Sequence, residues 1–336
     1  MLGATPGSRW IALISETAQL GFERLRPLEE AGFELVERYE LAGVVDEDEL
    51  IAGISGCWAT VAGSEPYTRH VLEACPELRA IARCGVGYDA IDVPAATERG
   101  VAVLITPGAN ADAVADITLA LTLACIRHLV ELDGVVRSGG WRPNTLFGDL
   151  AGATVGIVGL GTIGQAVARR FHGFGCRMLA VEAVPDRRFC AELGIELTTL
   201  ERLLPEVEVL TLHVPLTPET RHLISTRELA LLPPGAVVVN TARGGVLDTA
   251  ALVDALRAGT LGGAGLDVFE EEPLPAGHPL LELPNVVLSG HAATFTRGGV
   301  FHTLDAVVHN LLELDAGTVP AGTVNPGAAP VLEQTG

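Results

Sequence analysis

The chain has 336 residues, of which 48% are hydrophobic and 19% charged, and its formal net charge is −20. This length exceeds a single hydrophobic core, and at roughly 150 residues per domain it predicts two domains. The negative charge would repel phosphate backbones and anionic lipid headgroups, so we expect no binding to nucleic acid or to a membrane surface. Every basic residue is an arginine, which excludes a lysine nucleophile and a phosphate-loop lysine.

The cysteines and the N-terminal region indicate a reducing cytoplasm. The six cysteines form no C-x-x-C pair and have no histidine partners at metal-binding spacing, so we interpret them as free buried thiols and expect no metal. They are Cys57, Cys75, Cys84, Cys125, Cys176 and Cys190. The apolar run at 10–14 is too short for the core of a signal peptide. No apolar stretch approaches the roughly 20 residues of a membrane span.

Short apolar runs alternate with amphipathic segments, a pattern typical of βαβ units and parallel sheets. A helix is predicted at 68–74, and a polar stretch at 137–148 separates two series of strands. The later strands are rich in Val, Leu and Ile on both faces, as strands covered by helices on each side should be. The predicted strands are 10–15, 33–37, 57–62, 78–82 and 101–105 in the first series, and 154–158, 178–181, 207–212, 236–240, 265–268 and 286–288 in the second.

Two longer helical segments lie outside these series. Residues 111–130 form an apolar run without Gly or Pro, in which charged residues such as Asp112 and Asp116 are interspersed. These charges favour a helix packed between domains or at an interface over a membrane helix. Residues 296–314 show a helical pattern with an apolar side that includes Leu304 and Val308.

A G-x-G-x-x-G motif, formed by Gly159, Gly161 and Gly164, lies directly between a predicted strand and a predicted helix at 163–174. In that context the glycines allow a tight turn, a close approach of backbone to a pyrophosphate, and close helix packing. The helix N-terminus then attracts the anion. Glu182, at the end of the next strand, can bind an adenosine ribose and would repel a 2′-phosphate. The sequence therefore predicts NAD as the cofactor, a preference that the two arginines shortly after Glu182 could soften.

Polar residues follow four of the later strands, in the segments HVP at 213–215, NTARGG at 240–245, DVFEEEP at 267–273 and HAA at 291–293. Ligands of doubly wound sheets bind at the carboxyl ends of the strands, so these segments should converge on one crevice.

Three residues of these segments suit the reduction of a 2-oxo acid, which needs a fixed cation for the carboxylate and a proton donor for the carbonyl oxygen. Arg243 has the planar fork that recognises a carboxylate. His291 can act as the acid in reduction and the base in oxidation. Glu272 is the nearest carboxylate in the sequence that could favour the imidazolium form.

On these residues the chain resembles the D-isomer-specific 2-hydroxyacid dehydrogenase family, and especially its phosphoglycerate dehydrogenase-like branch, from about residue 61 to residue 325. The motifs that carry the resemblance are RCGVGYDAID at 83–92, the glycine loop at 159–164, LHVPLTPET at 212–220, NTARGGVLD at 240–248, GLDVFEEEP at 265–273 and the segment around His291. The resemblance implies NAD-dependent hydride transfer between the nicotinamide and a small (D)-2-hydroxy/2-oxo acid.

The resemblance also implies roles for individual residues. Arg243 would bind the carboxylate and carbonyl of the substrate, and Glu272 would be the partner of His291, the general acid/base. Asp267 would contact the nicotinamide carboxamide. The other residues predicted to bind the cofactor are Thr162, Ile163, His213, Val214, Pro215, Thr241, Ala242 and Ala293. The residues predicted to bind the substrate are Val86 and Gly87 through their amides, together with Asn110, Ser64 and Arg83.

The organisation of the family implies an α/β fold with two doubly wound parallel-sheet domains and a cleft between them. The substrate domain would be flavodoxin-like and discontinuous, formed by 1–106 and 293–336, and 107–292 would form the Rossmann NAD-binding domain. Because members are usually dimers through the cofactor domain, we expect a homodimer.

Four positions depart from the family pattern. Ala90 replaces a usual Asn and Asp116 a usual Glu, while Gly290 replaces the proline that usually precedes the histidine and so loosens the backbone before His291. The segment around Ala62 lacks the arginine with which phosphoglycerate dehydrogenases meet the substrate phosphate. This last departure disfavours 3-phosphoglycerate as the substrate.

Two alternative functions remain open at this point. The same fold and cofactor loop also serve an NAD-sensing corepressor that works by binding proteins. A formate dehydrogenase-like reaction is a further alternative, although the enzymes of that branch have Gln at the position of Glu272. The sequence leaves the identity of the acid open among phosphorylated, phosphonate and plain aliphatic acids.

Overall fold

In a computed structural model, which describes residues 9–328, the chain divides into two compact units. One unit consists of the described residues up to Asn110 and those from Phe295 onward, and the other is Ala111–Thr294. The chain thus passes from one unit to the other at 110/111 and 294/295. The domain boundaries predicted from the sequence are 106/107 and 292/293. Residues 1–8 and 329–336, which the predicted substrate domain includes, lie outside the described residues.

The first unit contains a parallel five-stranded sheet with the strand order β2-β1-β3-β4-β5, which is the flavodoxin-like order. Each strand overlaps one that the sequence predicts. The strands are β1 (Trp10–Leu13), β2 (Glu34–Glu37), β3 (Ala59–Ala62), β4 (Ala80–Arg83) and β5 (Ala102–Leu104). The α-helices between them are α1 (Glu16–Leu20), α2 (Arg26–Glu30), α3 (Glu47–Ile54), α4 (Arg69–Ala74) and α5 (Val93–Glu98).

The C-terminal helix Arg297–Asp315 completes this unit and agrees with the helix predicted at 296–314. Thr296 caps it, because its hydroxyl accepts a hydrogen bond from the Gly299 amide at 2.9 Å. Leu304 and Leu311 are seven residues apart and therefore lie on the same face of the helix. Both are fully buried in the core that also contains side chains of β1 and β3.

The second unit contains a parallel seven-stranded sheet with the order β12-β11-β10-β9-β6-β7-β8. Counted within the unit this is the 3-2-1-4-5-6 order of Rossmann domains with one strand added, so the predicted fold class of two parallel-sheet α/β domains is confirmed. The strands are β6 (Thr154–Val158), β7 (Arg177–Val181), β8 (Glu196–Leu197), β9 (Val209–Leu212), β10 (Ala236–Asn240), β11 (Leu261–Leu266) and β12 (Val286–Leu288).

Strand β11 differs from its prediction because it begins four residues earlier than 265 and ends before Asp267. Its sequence LGGAGL is poor in the residues that favour strands. The glycines are explained by a neighbouring helix, since a Cβ on Gly265 would lie 2.8 Å from the Cβ of Leu121. Close packing of helix on strand therefore replaces the usual β-branched pattern here.

The apolar segment predicted as one helix over 111–130 is two helices, and that prediction was wrong in length. The α-helices of this unit are α6 (Ala111–Ile126), α7 (Leu129–Arg137), α8 (Thr162–Gly173), α9 (Arg187–Leu193), α10 (Leu200–Leu203), α11 (Thr226–Leu229) and α12 (Thr249–Arg257). The break occurs at His128, which adopts a left-handed conformation with φ 49°. Helix α6 buries Leu121 and Cys125 in the core beneath the sheet, whereas α7 buries none of its residues.

Within residues 9–328, no single helix is long and apolar enough to cross a membrane. Helices α6 and α7 together, which are bent by 62°, would be long and apolar enough, by length and composition only.

Candidate active site

One row of aligned residues crosses the second sheet near its carboxyl edge. The strand register pairs Val158 with both Val181 and Leu212, and it continues through Asn240, Leu266 and Leu288. The residues that directly follow this row are Gly159, Glu182, His213, Thr241, Asp267 and Ser289. The register therefore brings five residues predicted for the site, and Ser289 in addition, to one edge of one sheet.

The pair formed by His291 and Glu272 is the most chemically informative contact at this edge. His291 Nδ1 lies 2.7 Å from Glu272 Oε2, and Glu272 Oε1 accepts a hydrogen bond from the Phe269 amide at 2.8 Å. Partial burial of Glu272 opposes its ionisation, but hydrogen bonds from His291 and Phe269 and the nearby charges of His291 and Arg243 outweigh that effect, so the pKa of Glu272 is lowered. The side chains of His291 and Glu272 remain 50% and 35% exposed.

Asp267 fixes the loop that carries His291. Its carboxylate, which is fully buried, accepts hydrogen bonds from the Ser289 hydroxyl at 2.7 Å, the Ala292 amide at 2.9 Å and the Ala293 amide at 3.2 Å. The His291 amide also donates to the Asp267 carbonyl at 2.7 Å, and His291 adopts a left-handed φ of 52°. These bonds hold the loop in a conformation that few non-glycine residues adopt. They fix the position of His291 despite the conformational freedom of the preceding Gly290.

Asn240 shapes the loop that carries Arg243. Its side-chain amide donates to the Arg243 carbonyl at 2.9 Å, and its side-chain oxygen accepts from the Ala242 amide at 3.0 Å. Thr241 is tied to α6 by a 2.9 Å contact between its hydroxyl and that of Thr118, both of which are buried. Asn240 and Thr118 were not among the predicted site residues. Asn240 could have been found, because it ends a strand within the NTARGG segment, but the partner on α6 could not.

The glycine loop joins β6 to α8 beside β9. Gly159 has a left-handed φ of 93°, and a Cβ there would lie 2.5 Å from the His213 carbonyl oxygen. A Cβ on Gly164 would lie 2.1 Å from the Gly159 carbonyl oxygen, so both positions require glycine. By contrast, a Cβ on Gly161 would meet open space.

Comparisons with known proteins agree with this geometry. Residues 119–293 match the model of the D-isomer specific 2-hydroxyacid dehydrogenase NAD-binding domain. A glyoxylate reductase of Korarchaeum cryptofilum is 44% identical over 282 residues, which cover 82% of this chain and 85% of the relative. The chain belongs to the D-isomer specific 2-hydroxyacid dehydrogenase family.

Two solved structures support the same assignment over nearly the whole chain. The crystal structure of a glyoxylate reductase from Paecilomyes thermophila has a TM-score of 0.81 and 30% identity, covering 95% of this chain and 98% of that chain. The D-lactate dehydrogenase of Aquifex aeolicus, complexed with NAD and lactic acid, has a TM-score of 0.82 and 27% identity, covering 94% and 99%. The dehydrogenase is therefore an NAD-dependent oxidoreductase that acts on a 2-oxo or 2-hydroxy acid. The phosphoglycerate dehydrogenase-like branch expected from the motifs is not singled out by these relatives.

The second unit of the dehydrogenase fits NAD at the glycine loop. Gly161 precedes the first residue of α8, and it has no side chain with which to cap the amides of that helix. These amides and the helix dipole favour an anion such as the pyrophosphate. Thr162 and Ile163 form the first turn of this helix, and the open space at Gly161 lets a ligand approach the backbone.

Glu182 lies beside the glycine loop and is held by backbone amides. Its Oε2 accepts from the Leu160 amide at 2.6 Å, and its Oε1 accepts from the Val184 amide at 3.1 Å. The carboxylate thus stands at the end of β7 within reach of the loop that would hold the pyrophosphate. A carboxylate can accept more than one hydrogen bond per oxygen, so these contacts leave it able to accept from a ribose hydroxyl.

His213 is partly buried and carries a neutral imidazole rather than a charged group. Its Nε2 lies 2.8 Å from the Thr211 hydroxyl, and burial lowers the pKa of His213 to about 3. The His213 amide donates to the Val158 carbonyl at 2.7 Å. The backbone of His213 therefore joins β9 to β6 at the point where the glycine loop begins.

The predicted substrate-binding residues lie in the first unit. Arg83 does not extend freely, because its Nε donates to the Gly87 carbonyl at 2.7 Å and its Nη1 to the Ala62 carbonyl at 3.3 Å. It thus ties the loop containing Val86 to the end of β3. Ser64 is exposed beside this connection, and Asn110 is buried at the last residue before α6.

Proposed function

We propose that the dehydrogenase reduces a short, unphosphorylated 2-oxo acid, with glyoxylate as the first candidate, and that Arg243, Glu272 and His291 carry the reaction. The observation that carries this proposal is the 2.7 Å contact between His291 and Glu272 at the sheet edge. The charge of Arg243 also lowers the pKa of Glu272 there. An imidazole held by a carboxylate beside a guanidinium combines a proton donor with a binding group for a carboxylate.

In the proposed mechanism Arg243 binds the carboxylate of the substrate through its planar fork and polarises the carbonyl. NADH, when bound, supplies the hydride that is added to the carbonyl carbon. His291 then donates a proton to the carbonyl oxygen from Nε2, because its Nδ1 is engaged with Glu272. Glu272 orients the imidazole and favours its protonated form. In the reverse direction His291 removes the hydroxyl proton.

The assignment of an unphosphorylated substrate rests on arginines of the first unit. No arginine stands at Ala62, and two arginines that follow it in the first unit, Arg69 and Arg83, already have partners. Arg69 forms an ion pair with Glu98 at 2.7 Å, and Arg83 donates to the backbone. The curated relatives named glyoxylate reductase support the same conclusion. We propose that the second unit binds the cofactor at its glycine loop.

We expect NADH-dependent reduction of glyoxylate to be at least 10-fold more efficient in kcat/KM than reduction of phosphohydroxypyruvate. The physical reason is that Arg69 and Arg83 already have partners, and a phosphate without a cationic partner loses the energy of a charge-assisted hydrogen bond. Loss of NADH absorbance against glyoxylate, hydroxypyruvate, pyruvate, phosphonopyruvate and phosphohydroxypyruvate measures it. A kcat/KM near 10⁴ M⁻¹s⁻¹ or above for 3-phosphoglycerate oxidation would contradict the assignment.

The cofactor preference should depend on Glu182. We expect Glu182→Ala to weaken NADH binding about 10-fold, the loss of one or two hydrogen bonds to a charged group, and to improve NADPH use relative to NADH. Because Glu182 also holds the Leu160 amide, the ratio of the two dissociation constants is the quantity to follow by fluorescence titration. Glu201→Ala, at an exposed carboxylate on α10, serves as the control. A wild-type enzyme that prefers NADPH would contradict the prediction.

We further propose that the dehydrogenase forms a homodimer through its NAD-binding unit. Helix α7 and the segment after it expose large apolar side chains, including Leu129, Val130 and Val136. Trp141 is 77% exposed and Leu146 is 97% exposed. A cluster of exposed apolar residues within one segment is typical of a protein interface. The same surface on two copies would cover both segments around a twofold axis.

Light scattering should therefore give the mass of two 35.0 kDa chains. Replacing Trp141 by Arg and Leu146 by Glu together should shift the protein to the monomer, because both charges would be buried in the interface. Val45→Glu, at a residue of the first unit that is 85% exposed, should leave the dimer intact. A monomeric wild-type enzyme at micromolar concentration would overturn the proposal.

A cytoplasmic location is proposed on the state of the cysteines. All six are free thiols, and burial raises the pKa of Cys57, Cys84 and Cys125 above the ordinary value. Buried thiols without disulfide partners are typical of proteins from reducing compartments.

A further inference from the structure

A second imidazole–carboxylate contact lies next to the proposed catalytic residues. His222 Nε2 forms a short contact with Glu270 Oε1, and the two side chains are 41% and 33% exposed. Partial burial opposes ionisation of Glu270, but hydrogen bonds from Thr249 and His222 outweigh it and lower the pKa of Glu270. Glu270 is thus an ionised carboxylate, although no step of the proposed reaction uses it.

The backbone around this contact connects three segments of the second unit. The His222 amide donates to the Gly245 carbonyl at 2.8 Å, two residues after Arg243. The second oxygen of Glu270 accepts from the Thr249 amide at 3.2 Å, at the start of α12. A parallel bridge pairs Ile224 with Leu247 in the same region. His222 and Glu270 therefore hold opposite sides of the segment that follows Arg243.

The loops that carry Arg243 and Glu272 touch at this place. A Cβ on Gly244 would lie 1.9 Å from the carbonyl carbon of Phe269 and 2.3 Å from the Glu270 nitrogen, so the two backbones are in direct contact. The Phe269 amide in turn donates to Glu272. A displacement of Glu270 would therefore change the spacing between the two loops, and with it the spacing between Arg243 and Glu272.

We propose that His222 and Glu270 are positioning residues, which clamp the loop of Arg243 to the loop of Glu272 so that the guanidinium and the His291–Glu272 pair meet the same substrate. This inference rests on the proposed function of those three residues. His222 itself adopts a left-handed φ of 50°. Such a backbone conformation is unfavourable for histidine and persists where the surroundings impose it, as the bonds to Gly245 and Glu270 do here.

An ordinary surface ion pair would not have these consequences. His309 and Glu313 form such a pair on the C-terminal helix, with 3.3 Å between Nε2 and Oε1, and they join two positions of one helix turn. Exposed pairs of this kind contribute little to stability. The pair of His222 and Glu270 joins segments that are 48 residues apart in the chain, so its loss changes the relation between two loops.

The test compares three variants at the positioning pair with two controls. Asparagine tolerates the left-handed conformation but is too short to keep the contact, so His222→Asn removes the contact alone. His222→Gln can place an amide nitrogen near the position of Nε2, and Glu270→Gln removes only the charge. His309→Asn and Glu313→Gln make the same changes at the ordinary ion pair.

We expect His222→Asn and Glu270→Gln to lower kcat/KM for glyoxylate about 10- to 100-fold, as small displacements of a substrate-binding group do. A raised KM should account for part of the loss, while the NADH dissociation constant stays within twofold of wild type. His222→Gln should recover at least half of the loss on a logarithmic scale. Both controls should behave as wild type.

A role confined to stability would give a different result, because a smaller folded fraction lowers kcat at unchanged KM. Hydrogen exchange adds a readout independent of activity, since amides of 245–249 should exchange faster in His222→Asn while those of β6 do not. An unchanged KM, or no rescue by His222→Gln, overturns the positioning role.

Arg243→Lys, assayed in parallel, separates this inference from the proposed function. If Arg243→Lys is impaired and His222→Asn is normal, the positioning role alone is wrong. If Arg243→Lys is itself normal, the proposed function fails and the inference fails with it.

Discussion

Replacement of His291 by alanine should lower kcat for 2-oxo acid reduction by about 10²–10⁴-fold, the usual contribution of general acid–base catalysis. In the proposed mechanism the imidazole is the proton donor beside Arg243 and Glu272, and its removal leaves the carbonyl oxygen to take a proton from water. NADH binding should be nearly unchanged, because the residues that we propose to bind the cofactor, the glycine loop and Glu182, do not include the His291 side chain. Steady-state kinetics and NADH fluorescence titration measure the two quantities on the same preparation.

The backbone at His291 requires a second variant. Alanine at φ 52° is strained, and the strain by itself could displace the loop that Asp267 holds. His291→Asn tolerates this conformation and still lacks a group that can act as an acid near neutral pH. Both variants should therefore lose activity to a similar extent, whereas His309→Asn should retain it. Near-normal turnover of His291→Asn would require another acid/base.

The parts of the fold that could be predicted are those that depend on local sequence. Buried parallel strands give short apolar runs between amphipathic segments, and the glycine loop follows a strand directly. The α8 helix and every strand except the two-residue β8 are therefore visible without a structure. The ends of the strands also mark the candidate site, because the carboxyl edge of a parallel sheet is shared by all its strands. Arg243, Asp267 and His291 follow from this rule alone.

The parts that could not be predicted depend on contacts between distant segments. The break at His128 has no Gly or Pro to mark it, and the early start of β11 depends on glycines that only make sense against Leu121. Thr118 reaches Thr241 across 123 residues, and His222 reaches Glu270 across 48. No periodicity records such pairs, so the residues that hold the reactive groups in place are harder to find than the reactive groups.

Asp267 illustrates how one residue can both position a loop and take part in a proposed binding site. The sequence resemblance assigns it to the nicotinamide, whereas its carboxylate accepts three hydrogen bonds from 289–293. A carboxylate has about four acceptor positions, so the two roles are compatible. Ordering of the His291 loop and binding of the cofactor would then be coupled through one buried group, since a change at Asp267 affects both.

Glu272→Gln should shift the alkaline limb of the pH profile of reductive kcat/KM to lower pH. The carboxylate lies 2.7 Å from His291 Nδ1, and its negative charge favours the imidazolium that reduction requires. Glutamine keeps the size and the hydrogen bond but removes the charge that favours this cation. At alkaline pH the variant should therefore be slower than wild type.

The acidic side of the same profile follows from the lowered pKa of Glu272. A carboxylate whose pKa is lowered on folding stays ionised as the pH falls past its ordinary value of about 4.5, so its contribution is present above that pH and is lost only below the depressed pKa. In wild type Glu272 therefore stays ionised at every pH above its ordinary pKa, so its own titration does not produce the alkaline limb. Glu271→Gln removes one charge from the adjacent exposed residue and should leave the limb in place. An active Glu272→Gln enzyme with the wild-type alkaline limb would mean that Glu272 does not control the protonation of the catalytic group.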